Sequence, residues 1–195
     1  QCIEDFALMR AIPGMMVLCP CDGYEMRLAV EALIHYDGPA YMRLGRSAVE
    51  VVTDRVEGYQ FELGKGVVLA DGSDVTVVAV GLMVQVALQA REEMAKEGVS
   101  VRVIDMHTVK PLDGALIERA VRETGCIVTS EEHNVIGGLG GAVAEYVAEH
   151  CPAPVIRHGV ADEFGRSGKA AEVLDAYGLN VGGLCEKIRL ALKKK

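Results

Sequence analysis

The stretch EEHNVIGGLGGAVAEYVAEH, residues 131–150, contains the residue types that most directly suggest chemistry. Glu131, Glu132 and His133 follow a predicted strand, and a carboxylate beside an imidazole can transfer protons. Four glycines then precede a predicted helix, whose first backbone N–H groups can hold an anion. A dinucleotide site needs G-x-G-x-x-G, but Val143 stands where the third glycine should be. We therefore interpret the glycines as tight helix–strand packing and the three polar residues as an interface or a solvated loop.

Arg46 and His107 each follow a predicted strand, at the sheet edge where open parallel sheets usually bind ligands. The planar guanidinium of Arg46 can grip a phosphate through two parallel hydrogen bonds. An ordinary surface arginine is the alternative, and the pattern leaves both interpretations open. His107 could join His133 and the adjacent glutamates in a metal cluster, but no metal-ligand spacing is satisfied. The spacing alone therefore predicts neither a metal ligand nor a catalytic residue.

Composition and charge restrict the classes of partner. The 195 residues are half apolar and carry a formal net charge of −8, which argues against nucleic acid or an anionic membrane as a partner. No apolar run approaches the roughly 20 residues of a transmembrane helix, and the first residues lack a signal-peptide pattern. Six cysteines are present, but Cys19-Pro20-Cys21 has too short a spacer for a metal or redox pair. We expect a cytoplasmic protein with reduced, mostly buried thiols.

Predicted strands and helices alternate almost throughout, which is typical of a mostly parallel sheet flanked by helices. Residues 1–46 contain only two strand–helix units, too few to close a core, so we interpret them as the latter part of a domain whose beginning is absent. Residues 47–65 have weak periodicity and are predicted to be a linker. A complete pattern then fills residues 66–195. The predicted fold class is α/β, with a partial first domain and a complete second domain.

Local signals define two of the helices more closely. Asp22 and Asp113 precede helical patterns, and their side chains are suited to accept N–H bonds from the first turn. The inner face of the helix predicted over residues 22–36 should carry four apolar side chains at helical spacing. These are Met26, Ala29, Val30 and Leu33.

Several motifs, in the same order along the chain, together resemble the transketolase family. The segment QCIEDFALMRAIPGMMVLCPCDGYE (1–25) looks like the family's pyrimidine-binding domain just after its T-H-Q motif, with Gln1 as that glutamine. The run PCDGYE takes the place of its P-A-D-x-x-E element, and DGPAYMRLGR (37–46) looks like its next strand. Three further segments resemble its C-terminal domain: TVKPLD (108–113), EEHNVIGGLGGAVAE (131–145) and FGRSGK (164–169).

The resemblance implies the latter portion of a thiamine-diphosphate pyrimidine-binding domain over residues 1–46 and a complete transketolase C-terminal-like domain over residues 66–195. Transketolases transfer a two-carbon ketol unit between phosphosugars, using thiamine diphosphate and a divalent metal such as Mg²⁺. The family binds the diphosphate and the metal through a G-D-G…N motif, and an earlier glutamate activates the aminopyrimidine; the sequence contains neither. We therefore expect this chain alone to bind no cofactor and to be inactive.

The resemblance also implies a site residue and partners. Arg46 corresponds to the family arginine that binds the substrate phosphate, whereas no role is transferred to Glu132 or His133. The implied partners are an N-terminal transketolase portion or subunit, a second copy or larger assembly, and phosphosugar substrates.

Three other hypotheses remain open from the sequence. Deoxyxylulose-phosphate synthase and the beta chain of 2-oxo acid dehydrogenases share the VKPLD-like turn and a glycine-rich element, whereas EHN and FGRSGK look more like transketolase, especially its split two-subunit form. A non-catalytic module, in which residues 66–195 only dimerise and support a partner, is the alternative outside enzymes. An orphan nucleotide-binding domain is disfavoured by the missing third glycine.

Overall fold

The computed structural model describes residues 2–195; Gln1, matched above to the glutamine of a T-H-Q motif, lies outside them. The helices are α1 (Asp5–Arg10), α2 (Gly23–Ile34), α3 (Met83–Ala95), α4 (Gly114–Thr124), α5 (Leu139–His150), α6 (Ala170–Ala176) and α7 (Val181–Lys194). The strands are β1 (Met16–Leu18), β2 (Ala40–Met42), β3 (Val67–Ala70), β4 (Val75–Ala79), β5 (Val101–Asp105), β6 (Thr108–Lys110), β7 (Ile127–Asn134) and β8 (Val155–Val160). A 3-10 turn occupies Thr53–Arg55. Of the helices within the described range, none is long and apolar enough to cross a bilayer.

The main sheet, within the described residues, has five strands in the order β3-β5-β4-β7-β8. β5, β4, β7 and β8 run parallel, and β3 lies antiparallel to β5 at one edge. The central strand β4 is buried at all five positions, as expected for a near-continuous apolar run when helices cover both faces of a sheet. The predicted α/β fold with a mostly parallel sheet flanked by helices is confirmed.

Helices on the two faces of this sheet divide the core into two layers. α3 and α7 pack on the face that Val77 points to, and Met94 and Leu184 are fully buried there. α4 and α5 pack on the opposite face, with Val78 and Ile117 in their layer. Neighbouring valines of one strand thus enter different layers, as the two-residue period of a strand dictates.

A second sheet joins the first part of the chain to residues 66–195. Its order is β2-β1-β6, with β2 parallel and β6 antiparallel to β1. β6 follows the main-sheet strand β5 directly, so a strand from the second part extends the sheet of the first. Phe6 of α1 is fully buried in the core layer that also contains Ile104 and Leu139. The two parts therefore share hydrogen bonds and a core, and the boundaries at 46 and 65 stay predictions.

Both predicted helix caps are observed, but the buried face of α2 differs from the prediction. Asp22 accepts a bond from Glu25 N at 2.9 Å, and Asp113 accepts one from Leu116 N at 3.1 Å. The expected inner stripe was wrong at two of its four positions. Those two side chains, Met26 and Val30, are 36% and 40% exposed.

The buried face of α2 carries Glu25, Ala29 and Leu33 rather than the predicted stripe, because the Glu25 side chain is hydrogen-bonded in the interior. There its carboxylate accepts bonds from the Cys21 N–H and the Tyr59 hydroxyl. Residues four apart lie on one helical face, so burying Glu25 buries Ala29 and half-buries Leu33.

The thiols agree with the expectation of reduced, mostly buried cysteines. All six cysteines lie within the described residues and are free thiols. Four of them are buried: Cys19, Cys21, Cys126 and Cys185.

Shortening Ile188 should test the α7 layer of the core. Ile188 is fully buried, so Ile188→Ala is expected to lower the free energy of unfolding by about 2–5 kcal/mol. Leu190, on the same helix and 40% exposed, is the matched control, and Leu190→Ala should cost about 0.5 kcal/mol or less. Urea unfolding of both variants measures the difference, and equal losses would contradict the observed orientation of α7.

Candidate functional site

Glu131 and His133 are strand residues rather than loop residues, which corrects the expectation from the sequence. β7 continues to Asn134, and both side chains are fully buried. Glu131 Oε2 accepts a bond from Leu139 N at 2.7 Å, and Oε1 accepts one from Gly140 N at 2.8 Å. The strand continues to Asn134 because this residue pairs with Val160 of β8 and its N–H donates to Ile3 O at 2.8 Å.

The anion held by the glycine-rich turn is therefore the chain's own carboxylate. A helix N-terminus favours a negative charge, and here Glu131 occupies it from within the fold. Glycine is required because a Cβ at Gly138 would collide with the Glu131 carboxylate, and one at Gly140 would lie 2.7 Å from Thr129 Oγ1. Close helix–strand packing, as interpreted from the sequence, is what the turn provides.

Burial favours the neutral forms of both Glu131 and His133. Burial raises the pKa of Glu131 to about 7, although the two N–H bonds at α5 oppose the shift. Burial likewise lowers the pKa of His133, so the neutral imidazole is favoured. His133 Nδ1 contacts Asn134 O at 2.6 Å and His133 stacks on Phe6 with the ring centroids 5.1 Å apart. These are features of a packed interior and not of an open catalytic dyad.

The first part of the chain closes over this region. Arg43, just past β2, pairs with Asp5 at 3.0 Å and donates to Glu132 O at 2.9 Å. Arg10 of α1 donates to Gly137 O at 2.5 Å and to Glu145 Oε2 at 2.8 Å. The polar residues around the glycine-rich turn thus form an interface inside the chain, one of the two alternatives that the sequence left open.

Arg46 lies in a different setting, at the carboxyl edge of β2, and is exposed. Parallel β1 ends at the same edge, so Arg46 and the cap residue Asp22 leave the sheet on the same side. Among the hydrogen bonds and ion pairs of residues 2–195, none engages the Arg46 guanidinium. Its donors are available to an external anion, whereas those of Arg43 are used internally.

His107 does not join His133 and the glutamates in a cluster. It is fully buried, stacks on Phe61 with the ring centroids 4.2 Å apart, and its Nδ1 lies 3.0 Å from Thr108 Oγ1. Burial lowers the pKa of His107 below its ordinary value. The hypothesis of a metal cluster at this edge receives no support from the positions of these side chains.

A different polar cluster does form, and sequence reasoning missed it. Cys21, Glu25 and Asp105 each offer one ligand-type atom, and these atoms lie within 4.8 Å of one another in the interior. The available signal was Asp105 itself, an acidic residue at the end of a buried strand in which Arg102 is the other charged residue. Its partners come from 80 and more positions earlier in the chain, which a strand pattern cannot reveal.

Neither candidate location fits the metal or diphosphate of a thiamine cofactor. Mg²⁺ prefers octahedral oxygen ligands and keeps several waters, whereas the Cys21 cluster is buried and includes a thiol. The α5 N-terminus, which could hold a diphosphate, is filled by Glu131. The described residues therefore offer no self-contained site for the cofactor at these two places, and Arg46 remains the exposed anion-binding candidate.

Family models match nearly the whole chain. The model described as transketolase, C-terminal domain, matches residues 64–184, and the model described as transketolase, pyrimidine binding domain, matches residues 1–51. A protein described as a transketolase C-terminal section in Methanocaldococcus jannaschii is 41% identical over 100% of this chain and 61% of its own length. The 6-deoxy-6-sulfo-D-fructose transketolase subunit SqwH of a Clostridium species is 44% identical over 91% of the chain and 54% of its own length.

Two further similarities extend this comparison. A 1-deoxy-D-xylulose-5-phosphate synthase from Symbiobacterium thermophilum is 37% identical over 98% of the chain but only 30% of its own length. A solved structure described as a split gene transketolase, inactive beta4 tetramer, has a TM-score of 0.93 at 44% identity and covers 100% of this chain and 63% of its own. The chain thus spans about half to two thirds of the subunit-sized relatives that it matches.

Adding a methyl group at Gly138 should destabilise the interface around Glu131. The Cβ of Gly138→Ala would meet the Glu131 carboxylate and His133 Nδ1, both buried, so we expect a loss of about 1–3 kcal/mol in the free energy of unfolding. Gly165→Ala is the control, because nothing lies within 4 Å of a Cβ at that glycine. Chemical unfolding distinguishes the two, and a neutral Gly138→Ala would contradict the close contact.

Proposed function

Because this chain belongs to the transketolase family, we propose that it forms the C-terminal part of a transketolase-type transferase that moves a two-carbon ketol unit between phosphosugars with thiamine diphosphate. The support is that both family models match in sequence order and that relatives above 40% identity bear transketolase names. The chain contributes a substrate-binding arginine and a folded support for a partner. It contributes no group that acts directly on the reacting atoms.

The cofactor and the metal are proposed to be held by an N-terminal portion or subunit. This division is supported by the misfit of the two interior locations and by the share of its relatives that the chain covers. The similar solved structure is described as split and as an inactive tetramer of beta subunits, which is consistent with a second kind of subunit being needed. Assembly as a dimer or larger complex in the cytoplasm belongs to the same proposal.

Arg46 is proposed to bind the anionic end of the sugar. Its guanidinium is exposed and unengaged among the described residues, at a sheet edge where ligands of α/β proteins commonly bind. Two parallel N–H bonds suit a phosphate, and the same geometry suits a sulfonate, the anion named in the SqwH relative. Arg46 would therefore orient the substrate by its charged end while the chemistry takes place on atoms held by the partner.

Replacing Arg46 should weaken substrate binding more than turnover. With the complete enzyme assembled, Arg46→Ala is expected to raise KM for phosphosugars by about 10–100-fold, the equivalent of one or two charge-assisted hydrogen bonds, and to change kcat little. KM for an unphosphorylated ketose should not change. Arg55→Ala is the control, since Arg55 is an exposed arginine outside the proposed site. An unchanged KM for phosphosugars in Arg46→Ala would remove Arg46 from the site.

The chain by itself should show no ketol transfer. Xylulose 5-phosphate and ribose 5-phosphate, supplied with thiamine diphosphate and Mg²⁺, should remain unconverted by the pure chain and be converted once the N-terminal partner is added. Chromatography of the sugar phosphates measures both conditions. Turnover by the pure chain would overturn the proposed division of labour.

Deoxyxylulose-phosphate synthesis is the second candidate, favoured by the 37% identity to a synthase over nearly the entire chain. The higher identities of 41% and 44% to transketolase subunits support the first candidate. Product analysis separates the two, because a transketolase exchanges carbon units between sugars, whereas the synthase consumes pyruvate and releases carbon dioxide. Consumption of pyruvate by the assembled enzyme would select the synthase.

A further inference from the structure

Glu25 of α2 and Asp105 at the end of β5 meet inside the molecule, where the first part of the chain rests on the second. Both side chains are fully buried, and Cys21 beside them is 1% exposed. One oxygen of each carboxyl group and the Cys21 Sγ lie within 4.8 Å of one another. No salt bridge from the described residues reaches either carboxyl group. Two adjacent, buried and uncompensated carboxylates would repel each other strongly.

The hydrogen bonds differ sharply between the two carboxyl groups. Glu25 accepts on both oxygens, from the Tyr59 hydroxyl and from Cys21 N at 2.6 Å. Neither oxygen of Asp105 accepts from an N–H or O–H group of the described residues, and the donor beside it is the weak S–H of Cys21. A buried carboxylate with so weak a donor is costly, whereas a protonated carboxyl becomes a donor and needs an acceptor. The acceptor within reach is the Glu25 carboxylate.

We propose that Asp105 carries a proton at neutral pH and donates a hydrogen bond to the Glu25 carboxylate, so that this acid–carboxylate pair is a pH-sensitive lock between the two parts of the chain. The lock holds α2 against the end of β5. Release of the proton at alkaline pH places a second negative charge in the interior and loosens that contact. The lock does not depend on the proposed ketol transfer, and its tests need no substrate.

The surrounding groups favour a proton over a metal ion. Cys21, Glu25 and Asp105 supply three ligand atoms, one fewer than a closed structural zinc site takes, and the site is buried away from water. Burial raises the pKa of the Cys21 thiol, so a metal would have to displace the thiol proton before Cys21 could bind it.

The titratable groups around the pair come from four places along the chain. They are Cys19, Cys21 and Asp22 on the segment after β1, Glu25 on α2, Tyr59 on the segment between the two parts, and His107 just after β5. Burial raises the pKa of Tyr59, which keeps its hydroxyl a donor to Glu25. None of these groups is a cation at neutral pH, so none of them neutralises a second carboxylate, and a shared proton is favoured.

The raised pKa of Asp105 decides how the free energy of unfolding changes with pH. Burial, and then the charge of Glu25, raise the pKa of Asp105 well above its ordinary value. Folding at neutral pH consequently takes up a proton that the unfolded aspartate would have lost. The free energy of unfolding therefore falls as pH rises above the ordinary aspartate pKa, until the raised pKa of the folded state is passed.

Asp105→Asn and Glu25→Gln should behave differently. The amide introduced by Asp105→Asn retains a donor toward Glu25 and has no charge. The Tm of this variant should therefore equal that of the wild type at neutral pH and should decrease less steeply as pH rises. The wild type should lose about 3–5 °C per pH unit more than this variant within the titration window. The amide introduced by Glu25→Gln offers one acceptor oxygen where three donors converge, namely Tyr59 O–H, Cys21 N–H and the proposed Asp105 O–H, so this variant should have a lower Tm at every pH. The reverse order of stabilities would overturn the assignment of the proton.

Two spectroscopic measurements keep the test decisive if Glu25→Gln fails to fold. The infrared difference spectrum of wild type minus Asp105→Asn at neutral pH should contain the C=O stretch of a protonated carboxyl group. Hydrogen exchange of the Cys21 amide, which bonds to Glu25, should accelerate at alkaline pH more in the wild type than in Asp105→Asn. Absence of the infrared band, identical exchange, or stoichiometric zinc in the purified chain that is lost in Asp105→Asn would each refute the lock.

Discussion

The first part of this chain is folded because it is packed against the second. Two short strands and two helices cannot bury their own apolar surface, so Phe6 enters the core layer of the main sheet and β6 completes the small sheet. Such packing brings backbone and charged groups into the interior, and each of them needs a partner there. The pairings of Arg43 with Asp5 and of Arg10 with the Gly137 carbonyl meet that need. The polar groups buried between the two parts are thus a consequence of how these parts are joined.

The need of buried polar groups for partners also decides whether the glycine-rich turn can bind an external anion. A helix N-terminus is a ready site for a phosphate, yet in this chain Glu131 fills it. An internal carboxylate held by two N–H groups fixes the end of β7 to α5 and leaves no room for an outside anion. The anion-binding capacity at the sheet edge therefore rests with exposed Arg46, which is the basis for assigning the substrate's charged end to it.

Sequence patterns predicted the parts of the fold that depend on neighbours in the chain. The alternation of strands and helices and the caps Asp22 and Asp113 depend on periodicity or on bonds within one turn, and all are observed. The predictions failed where distant residues intervene. Met26 and Val30 were expected to be buried. Instead, the hydrogen bonds that Glu25 accepts in the interior turn the face of α2 that carries Glu25 inward, and Met26 and Val30 are exposed. His133 was expected beyond a strand that in fact continues through it.

The sequence by itself determined the α/β class, the order of the elements and the transketolase resemblance, because these follow from local periodicity and from motifs read in order. The tertiary structure alone decided which polar groups meet. Glu25 and Asp105 are 80 positions apart, and no pattern in the sequence around either residue indicates the contact. Their meeting depends on where β1 and β5 come to rest, and that position is fixed by packing of the whole core rather than by any segment of it.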